Sequence, residues 1–271
     1  MPELPEVEIV RRGLSRLVVS RKIVDLTVDR PALFPQGVDE VKTWLIGQTI
    51  ENIQRRGKYL LFRLSHGTLI SHLRMEGKFL LYDQAEIEDK HIHARFYLDD
   101  GHILVYRDVR VFGRFHYAPT EQDVNEYLQK LGPEPTEEAL DEGVMYDQLH
   151  KARTAIKTVL LNQKIVAGLG NIYVDEVLFR SHILPTRPAY SLTKEEVHQL
   201  RRQIIDVLAD ATEKGGSTIR TYKNAFGDEG QYQHYLQVYG KENTPCPQCG
   251  TPIEKIKVGG RGTHFCPHCQ R

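Results

Sequence analysis

The sequence predicts an α+β protein of several domains, in which a leading helix and an antiparallel β-sandwich precede a helical domain and a four-cysteine zinc ribbon. Three observations support this fold class. Short runs of alternating polarity dominate the chain up to about residue 118, helical periodicity dominates from about residue 137 to 214, and two C-x-x-C pairs lie near the C-terminus. A chain of 271 residues is long enough for two or three domains.

The first domain is expected to span residues 2–118. Apolar residues between Val7 and Leu17 repeat with the period of a helix that starts at Pro5. After Lys22 the period becomes two, and many short strands with polar turns are typical of an antiparallel sandwich or barrel. Strands are expected at about 24–28, 48–53, 58–64, 68–74, 78–82, 91–98, 102–107 and 112–117.

The second half of the chain has a different pattern. Gly132-Pro133-Glu134-Pro135 marks a linker over residues 119–135. A helical domain over residues 136–235 follows, and a capping box of Thr193 and Glu196 starts its last helix. Gly215-Gly216 ends that helix. The helices are expected at about 137–150, 153–163, 171–182 and 193–214, and the zinc ribbon over 236–271.

The charge distribution favours a local basic face. The chain carries 36 basic and 36 acidic residues, but residues 121–147 have a net charge of −8 and residues 241–271 a net charge of +3. Such segregation leaves a positive surface of the kind that phosphate binding needs. No run of about 18 apolar residues or secretory signal is present, so a cytosolic protein without a membrane span is expected.

The four cysteines indicate one metal site. Cys246, Cys249, Cys266 and Cys269 form two C-x-x-C pairs with sixteen residues between them, which is typical of tetrahedral zinc. Two disulfides are the alternative, and a cytosolic location disfavours them. Four thiolates leave no open coordination position, so one structural Zn²⁺ is expected. The nearby His264 and His268 are then expected on the surface.

The N-terminus carries the strongest candidate for chemistry. If Met1 is trimmed, Pro2 bears a secondary amine close to Glu3 and Glu6. An α-amino group has a reference pKa near 7.7, so about a tenth is a neutral nucleophile at pH 7. Such an amine can form an iminium with a carbon of aldehyde oxidation level, and a carboxylate can move the protons. The alternative is a plain helix start, which accounts for Pro5 but not for Pro2 and Glu3.

Two glycine-rich segments are candidates for binding phosphate. Gly168-Leu169-Gly170 before a helix start at Asn171 resembles a backbone nest for one phosphate, with Lys151, Arg153 and Lys157 upstream. The alternative is an ordinary turn between helices. Gly259-Gly260-Arg261-Gly262 is expected to place Arg261 at the tip of a turn, where it either reaches a phosphate or is simply solvated.

Charged residues also lie at strand ends in the first domain. Lys58 is expected on a strand face shared with Leu60 and Phe62, where it either serves a site or extends its ammonium to water. Apolar residues beside arginine, such as Met75 and Phe112, can part base steps in DNA or simply belong to the core.

Together these motifs resemble the bacterial formamidopyrimidine-DNA glycosylases, the 8-oxoguanine glycosylase/AP lyases of base-excision repair. The resemblance covers essentially the full length, because the motifs match in order and spacing. They are the segment from Pro2 to Glu8, Arg56-Gly57-Lys58-Tyr59-Leu60, Gly132-Pro133-Glu134-Pro135, the segment from Gly168 to Tyr173, and the four-cysteine ribbon. Two positions depart from the family pattern: Val111 replaces a common basic residue, and Ile9 a common threonine.

The resemblance implies a role for each matched residue. Pro2 would attack the sugar C1′, Glu3 would transfer protons, Glu6 would support the amine, and Lys58 would contact the lesion-site phosphate and assist elimination. The gap left by the flipped nucleotide would be filled by Met75, Arg110 and Phe112. Phosphates would be bound by His91, Lys151 or Arg153, Asn171 and Arg261, with Arg261 also near the elimination. The base pocket would include Glu76, Ile172 and a loop of Ser217, Thr218, Ile219, Arg220, Thr221 and Tyr222.

The resemblance therefore implies a monomeric enzyme that acts on damaged duplex DNA. It would excise oxidised purines and cut the strand by β- and then δ-elimination. Three alternatives stay open: a related glycosylase for oxidised pyrimidines of the endonuclease VIII type, a non-enzymatic DNA-binding module, and a tautomerase that uses Pro2 as a base. Leu4 and Val7 favour the purine branch, and the zinc ribbon is superfluous for a tautomerase.

Overall fold

The computed structural model describes residues 1–83, 88–217 and 230–271. They form two compact units. The first contains Met1–Pro2 and Glu6–Gln129, and the second contains Glu3–Pro5, Lys130–Ser217 and Gln231–Arg271. In these described ranges, no helix has both the length and the apolar character needed to cross a membrane.

The first unit is a β-sandwich with a leading helix. Helix α1 (Leu4–Val18) buries Val7, Val10 and Leu14, which are the residues of its apolar stripe. Its eight strands are β1 (Ile23–Val28), β2 (Ile50–Arg56), β3 (Tyr59–Leu64), β4 (Thr68–His72), β5 (Lys78–Tyr82), β6 (Ile92–Leu98), β7 (Ile103–Arg107) and β8 (Arg114–Ala118). They form two antiparallel four-stranded sheets, of order β1-β6-β7-β5 and β2-β3-β4-β8, and residues from both sheets share one core.

Two helices of this unit were not expected from the sequence. Helix α2 (Val38–Leu45) lies between β1 and β2. Helix α3 (Glu121–Leu128) lies inside the segment expected to be a linker, where a capping box of Thr120 and Asp123 starts it. Its spacing is the same start signal as that of Thr193 and Glu196, but the surrounding acidic residues gave the segment the composition of a linker.

The Gly132-Pro133 part of the expected linker is held in place within the second unit. Gly132 N–H donates to Gln163 O at 2.8 Å, and Ala167 N–H donates to Pro133 O at 2.9 Å. A Cβ at residue 132 would lie 2.4 Å from Lys164 O, so glycine is required for this close approach.

The second unit combines four helices with a two-stranded hairpin. The capping box of Thr193 and Glu196 starts the last helix, and Gly215 and Gly216 follow its end with φ of +77° and +74°, as expected. The helices are α4 (Glu142–His150), α5 (Ile156–Leu161), α6 (Asn171–Arg180) and α7 (Lys194–Glu213), and the hairpin is β9 (Glu254–Val258) with β10 (Arg261–Phe265). Helix α6 packs against both α7 and β10. The predicted fold class is confirmed, with helix, antiparallel sandwich, helical domain and cysteine-bearing hairpin in that order.

Candidate active site and metal centre

The carboxylate of Glu3 is bound at the N-terminus of α6. Its oxygens accept hydrogen bonds from the backbone N–H groups of Gly170 at 2.6 Å, Ile172 at 2.8 Å and Tyr173 at 3.3 Å. Glu3 is buried. Because the first N–H groups of a helix lack partners within the helix, and because its dipole favours negative charge, this position stabilises the ionised carboxylate.

This arrangement corrects the expectation of a phosphate nest at the glycine turn. The N–H groups that were assigned to a phosphate are used by Glu3. The glycines allow the N-terminal segment to approach: a Cβ at Gly170 would lie 2.3 Å from Glu3 Cδ, and one at Gly168 would lie 2.5 Å from Leu4 Cδ1. Leu4 N–H also donates to Gly168 O at 3.1 Å. The turn therefore binds an anion, but the anion belongs to the chain itself.

A buried ion pair lies below the turn that carries Arg261. Lys157 Nζ is 2.7 Å from Asp175 Oδ1 and donates to Gly262 O at 3.0 Å, and Asn171 Nδ2 donates to the same carbonyl at 2.9 Å. Lys157 was expected to join Lys151 and Arg153 in a basic phosphate site, and this is wrong because its side chain is fully buried. Burial lowers the pKa of Lys157, and the charge of Asp175 opposes this shift only in part.

His264 is also part of this network and is not the surface residue that was expected. Its side chain is buried, its backbone N–H donates to Asp175 Oδ2 at 2.9 Å, and its Nδ1 lies 3.3 Å from the same oxygen. His268, in contrast, is exposed as expected. Asp175 thus ties α6 to β10, the strand that begins with Arg261.

Arg261 is exposed and follows the tip of the hairpin. Gly259 and Gly260 form the tip with φ of +54° and +78°, which is the pattern of a type I′ turn. Arg261 pairs with Val258 across the hairpin. Arg261 therefore does not lie at the tip itself, where it was expected, but directly after it. It is the first residue of β10, where pairing with Val258 fixes its backbone.

In the first unit, Pro2 and Glu6 are both buried, whereas Met1 is exposed. Lys58 is buried as well, but it does not lie on the strand as expected. Arg56 and Tyr59 pair across β2 and β3, so Gly57 and Lys58 form the two-residue turn between these strands. The Lys58 side chain is therefore aimed by the geometry of a tight turn.

His72 is a neutral histidine near Lys58. Its Nδ1 accepts the backbone N–H of Arg74 at 2.9 Å, which requires an unprotonated Nδ1. Burial, followed by the positive charges of Arg74 and Lys58, lowers the pKa of His72 to about 3. The Tyr59 ring packs edge-on against the imidazole with 4.5 Å between ring centroids.

Arg110 and Phe112 lie on a loop whose backbone is hydrogen-bonded to the side chain of Asp108. Asp108 is buried and accepts hydrogen bonds from the N–H groups of Arg110 at 3.0 Å and Gly113 at 2.9 Å. Phe112 is 48% exposed, and Arg110 Cζ lies 5.0 Å from its ring centroid. Val111 between them has φ of +57°, a strained conformation for a β-branched residue. An exposed aromatic ring on a rigid, strained loop can act as a wedge, and it is not a core residue.

The other candidates differ in exposure, and Ser217 among them is buried. Met75, Glu76 and His91 of the first unit are partly buried, whereas His93 is buried with Nε2 2.7 Å from Asp108 O. In the second unit, Lys151 and Arg153 are exposed, Asn171 and Ile172 are partly buried, and Ser217 Oγ lies 3.2 Å from Tyr173 Oη. The remaining base-pocket candidates, Thr218, Ile219, Arg220, Thr221 and Tyr222, lie outside the described residues.

The four cysteines come together as one cluster. The sulfurs of Cys246, Cys249, Cys266 and Cys269 all lie within 4.8 Å of one another, with 3.9 Å between Cys246 and Cys269 and 3.5 Å between Cys249 and Cys266. A tetrahedral zinc site with Zn–S bonds of about 2.3 Å places sulfurs about 3.8 Å apart, so this donor set fits zinc. None of the four is in a disulfide.

Sequence reasoning gave no role to Asp108, which holds the loop of Arg110 in the first unit, or to Asp175, which holds α6 against α5 and β10 in the second. Asp108 sits two residues before Arg110, the spacing at which aspartate caps a turn, and this signal was available. Asp175 lies one helical turn after Asn171 on α6, but its partners come from α5 and from β10. Only the fold brings those partners together.

The fold and these sites define a DNA glycosylase with a zinc-finger domain, and comparisons with known proteins agree. Family models match residues 1–115 as formamidopyrimidine-DNA glycosylase N-terminal domain, 131–223 as formamidopyrimidine-DNA glycosylase H2TH domain, and 244–271 as the zinc finger found in FPG and IleRS. The chain belongs to the formamidopyrimidine-DNA glycosylase family, whose members typically combine glycosylase and AP lyase activity.

Individual relatives match over the full length. The formamidopyrimidine-DNA glycosylase of Streptococcus mutans is 53% identical, with all of both chains covered, and that of Bacillus cereus is 50% identical, covering 100% of this chain and 99% of the relative. The Lactococcus lactis Fpg in complex with abasic-site DNA is 46% identical, with a TM-score of 0.94 and 99% of each chain covered. The wild-type Lactococcus lactis Fpg in complex with N7-benzyl-Fapy-dG DNA is also 46% identical, with a TM-score of 0.94 and 100% of both chains covered.

Proposed function

We propose that this protein excises oxidised purines, such as 8-oxoguanine and formamidopyrimidines, from duplex DNA and then cleaves the strand at the same site. The observation that carries the proposal is the Glu3 carboxylate, which follows Pro2 in the chain and accepts hydrogen bonds from three N–H groups at the N-terminus of α6. An ionised carboxylate adjacent to a secondary amine is a suitable proton acceptor and donor for iminium chemistry.

The proposed reaction starts with the amine of Pro2, after removal of Met1. The amine nitrogen forms a bond to C1′, the N-glycosidic bond breaks, and the base leaves with a proton. The sugar ring opens to an iminium between Pro2 and C1′, with Glu3 transferring protons and Glu6 supporting the amine. Abstraction of a C2′ proton then expels the 3′ phosphate, and a second elimination expels the 5′ phosphate, which leaves a one-nucleotide gap.

The other candidate residues are proposed to hold the DNA. Lys58 contacts the lesion-site phosphate and assists elimination. Phe112 on its rigid loop fills the gap after base flipping, which costs about a few kcal/mol for a damaged base. Further phosphate contacts are proposed for His91, Lys151 or Arg153, Asn171 and Arg261. Met75 and Arg110 would face the orphaned base. The base pocket would be formed by Glu76, Ile172 and residues 217–222.

The proposal also covers the metal, the domains and the assembly. One structural Zn²⁺ bound by the four cysteines would keep the β9–β10 hairpin folded and so hold Arg261 in place. The domains are proposed at residues 2–118, 136–235 and 236–271, with 119–135 connecting them. The enzyme is proposed to act as a monomer in the bacterial cytoplasm, where it meets DNA in the nucleoid. Size-exclusion chromatography with light scattering tests the oligomeric state, because it measures the molar mass in solution.

A panel of lesion duplexes tests the substrate class. The purified protein is mixed with duplexes that carry 8-oxoguanine, a formamidopyrimidine or thymine glycol, and base release and strand cleavage are measured separately. Faster excision of the two purine lesions, with phosphate on both ends of the gap, supports the proposal. Faster excision of thymine glycol would instead indicate the pyrimidine-specific alternative, and an absence of cleavage would leave only a DNA-binding module.

A further inference from the structure

Three arginines converge on the carboxylate of Glu8 in the first unit. Arg11 Nη2 lies 2.8 Å from Glu8 Oε1, Arg12 Nε lies 3.0 Å from the same oxygen, and Arg55 Nε lies 3.2 Å from Oε2. Glu8, Arg11 and Arg12 are on α1, but Arg55 is on β2. Glu8 therefore connects the helix that begins just after Pro2 and Glu3 to the strand that leads into the Lys58 turn.

Arg55 also contacts that turn directly. Its Nη1 donates to Gly57 O at 3.0 Å, while its Nε is held by Glu8. Both side chains are mostly shielded from water, with 16% of Arg55 and 14% of Glu8 exposed. Hydrogen bonds to charged groups in such surroundings contribute more than those of an exposed ion pair.

The Gly57 carbonyl is the part of the turn that decides where Lys58 points. Gly57 has φ of +55°, and Lys58 is not among the residues with positive φ, which is the pattern of a type II′ turn. Types I′ and II′ differ in the orientation of the central peptide, here that of Gly57 and Lys58. A donor fixed on this carbonyl therefore selects one orientation and with it the direction of the Lys58 side chain.

We infer that Arg55 is a positioning residue for Lys58: anchored by Glu8, its guanidinium holds the Gly57 carbonyl and so sets the direction in which Lys58 points. This inference rests on the role proposed for Lys58 in strand cleavage. The planar fork of arginine suits the task, because it presents Nε and Nη1 to two acceptors at once, whereas lysine offers a single nitrogen.

A double-mutant cycle tests the inference. Arg55→Lys keeps the charge and loses the fork, and it is expected to slow single-turnover cleavage of abasic-site DNA by about tenfold or more, since misplacement of a catalytic group by about 1 Å can cost a hundredfold. In a Lys58→Met background the same change is expected to slow the residual cleavage by less than about twofold, because residues that act as a unit are not additive. Equal effects in both backgrounds would overturn the inference.

Arg12→Lys is the matched control. Arg12 also binds Glu8, but it is 48% exposed and contacts no part of the turn in the hydrogen bonds described above. Its variant should cleave at the wild-type rate, and loss of activity equal to that of Arg55→Lys would point to the charge cluster as a whole and against the inference.

A crystal structure of Arg55→Lys separates this inference from the proposed function. The Gly57–Lys58 peptide is expected to turn away from its wild-type orientation, and an unchanged turn would overturn the inference whatever the enzyme does. If the wild-type protein cleaves no abasic-site DNA, the proposed function is contradicted. The orientation of the Gly57–Lys58 peptide in the variant would still show whether Arg55 positions Lys58.

Discussion

Lys157 Nζ lies 2.7 Å from Asp175 Oδ1, and neither side chain is exposed to solvent. The pair ties α5 to α6, and through Gly262 O and the His264 N–H it ties both helices to β10. Buried ion pairs are weak sources of net stability, but they specify how elements are arranged. Here the arrangement is that of Arg261 relative to the N-terminus of α6, where Glu3 is bound.

Replacement of Asp175 by Asn is expected to lower the free energy of unfolding by about 3–5 kcal/mol, because the ammonium of Lys157 stays buried without its counter-charge. Urea denaturation followed by circular dichroism measures this. The double variant Lys157→Met/Asp175→Leu removes both charges and should recover part of the loss. Lys151→Met, at an exposed position, is the control and should change stability by less than about 0.5 kcal/mol. A single variant as stable as this control would contradict the role of the pair.

His72 is expected to make stability fall as the pH decreases. Its pKa of about 3 in the folded state lies below its unfolded value near 6.5, so the folded state favours the neutral ring. Its contribution is complete above pH 6.5 and is lost by about 1.4 kcal/mol per pH unit as the pH falls toward 3. The positively charged groups near His72 are Arg74 and Lys58, and Arg114 is its partner in the pairing of β4 with β8.

The measurement is the difference between wild type and His72→Asn in unfolding free energy at pH 7.5, 6 and 5. Asparagine retains an acceptor for the Arg74 N–H but does not titrate in this range. The wild-type advantage should therefore shrink at each step below pH 6.5. A difference that stays constant from pH 7.5 to 5 would show that the pKa of His72 is the same in the folded and unfolded protein, and so would contradict the preference for the neutral ring.

Phe112→Ala is expected to separate catalysis from stability. The ring is exposed, so its loss should change unfolding free energy by less than about 0.5 kcal/mol. Excision from duplex DNA should fall at least about tenfold, because the gap left by the flipped base is no longer filled. Val109→Ala on the same loop, 44% exposed, is the matched control and should cleave normally. Equal activity of the two variants would remove Phe112 from the proposed wedge.

Zinc removal is expected to abolish cleavage by releasing the hairpin that carries Arg261. Metal analysis should find about one zinc per chain, and Cys269→Ser should lose it. His268→Ala, next to Cys269 but exposed, should keep both the metal and the activity. A metal-free protein that still cleaves lesion DNA at the wild-type rate would show that the ribbon does not support the site.

Much of the fold follows from local sequence patterns. The α1 stripe, the eight strands and the capping box of Thr193 each depend on residues close in the chain, so periodicity and capping rules reveal them. Helix α3 was missed although Thr120 and Asp123 carry the same signal, because the acidic composition around it suggested a linker. The spacing of the four cysteines was sufficient on its own to predict their cluster, since two C-x-x-C pairs are typical of a tetrahedral metal site.

The site was only partly predictable because several of its contacts join distant residues. The glycine turn was predicted to bind a phosphate, and nothing local shows that Glu3, 167 residues away, takes that place. Lys157 and His264 carry ordinary surface-residue signals, and only the packing of β10 against α6 makes them buried partners of Asp175. Lys58 was placed on a strand because the two-residue turn before β3 contains a single glycine.

Borohydride trapping tests the central claim that Pro2 is the nucleophile. The protein is incubated with duplex DNA that carries 8-oxoguanine in the presence of borohydride, and the adduct is digested and analysed by mass spectrometry. The account predicts a covalent adduct on a peptide that begins at Pro2, and no such adduct with Pro2→Gly. An adduct on another residue, or cleavage of lesion DNA by protein that retains Met1, would contradict it.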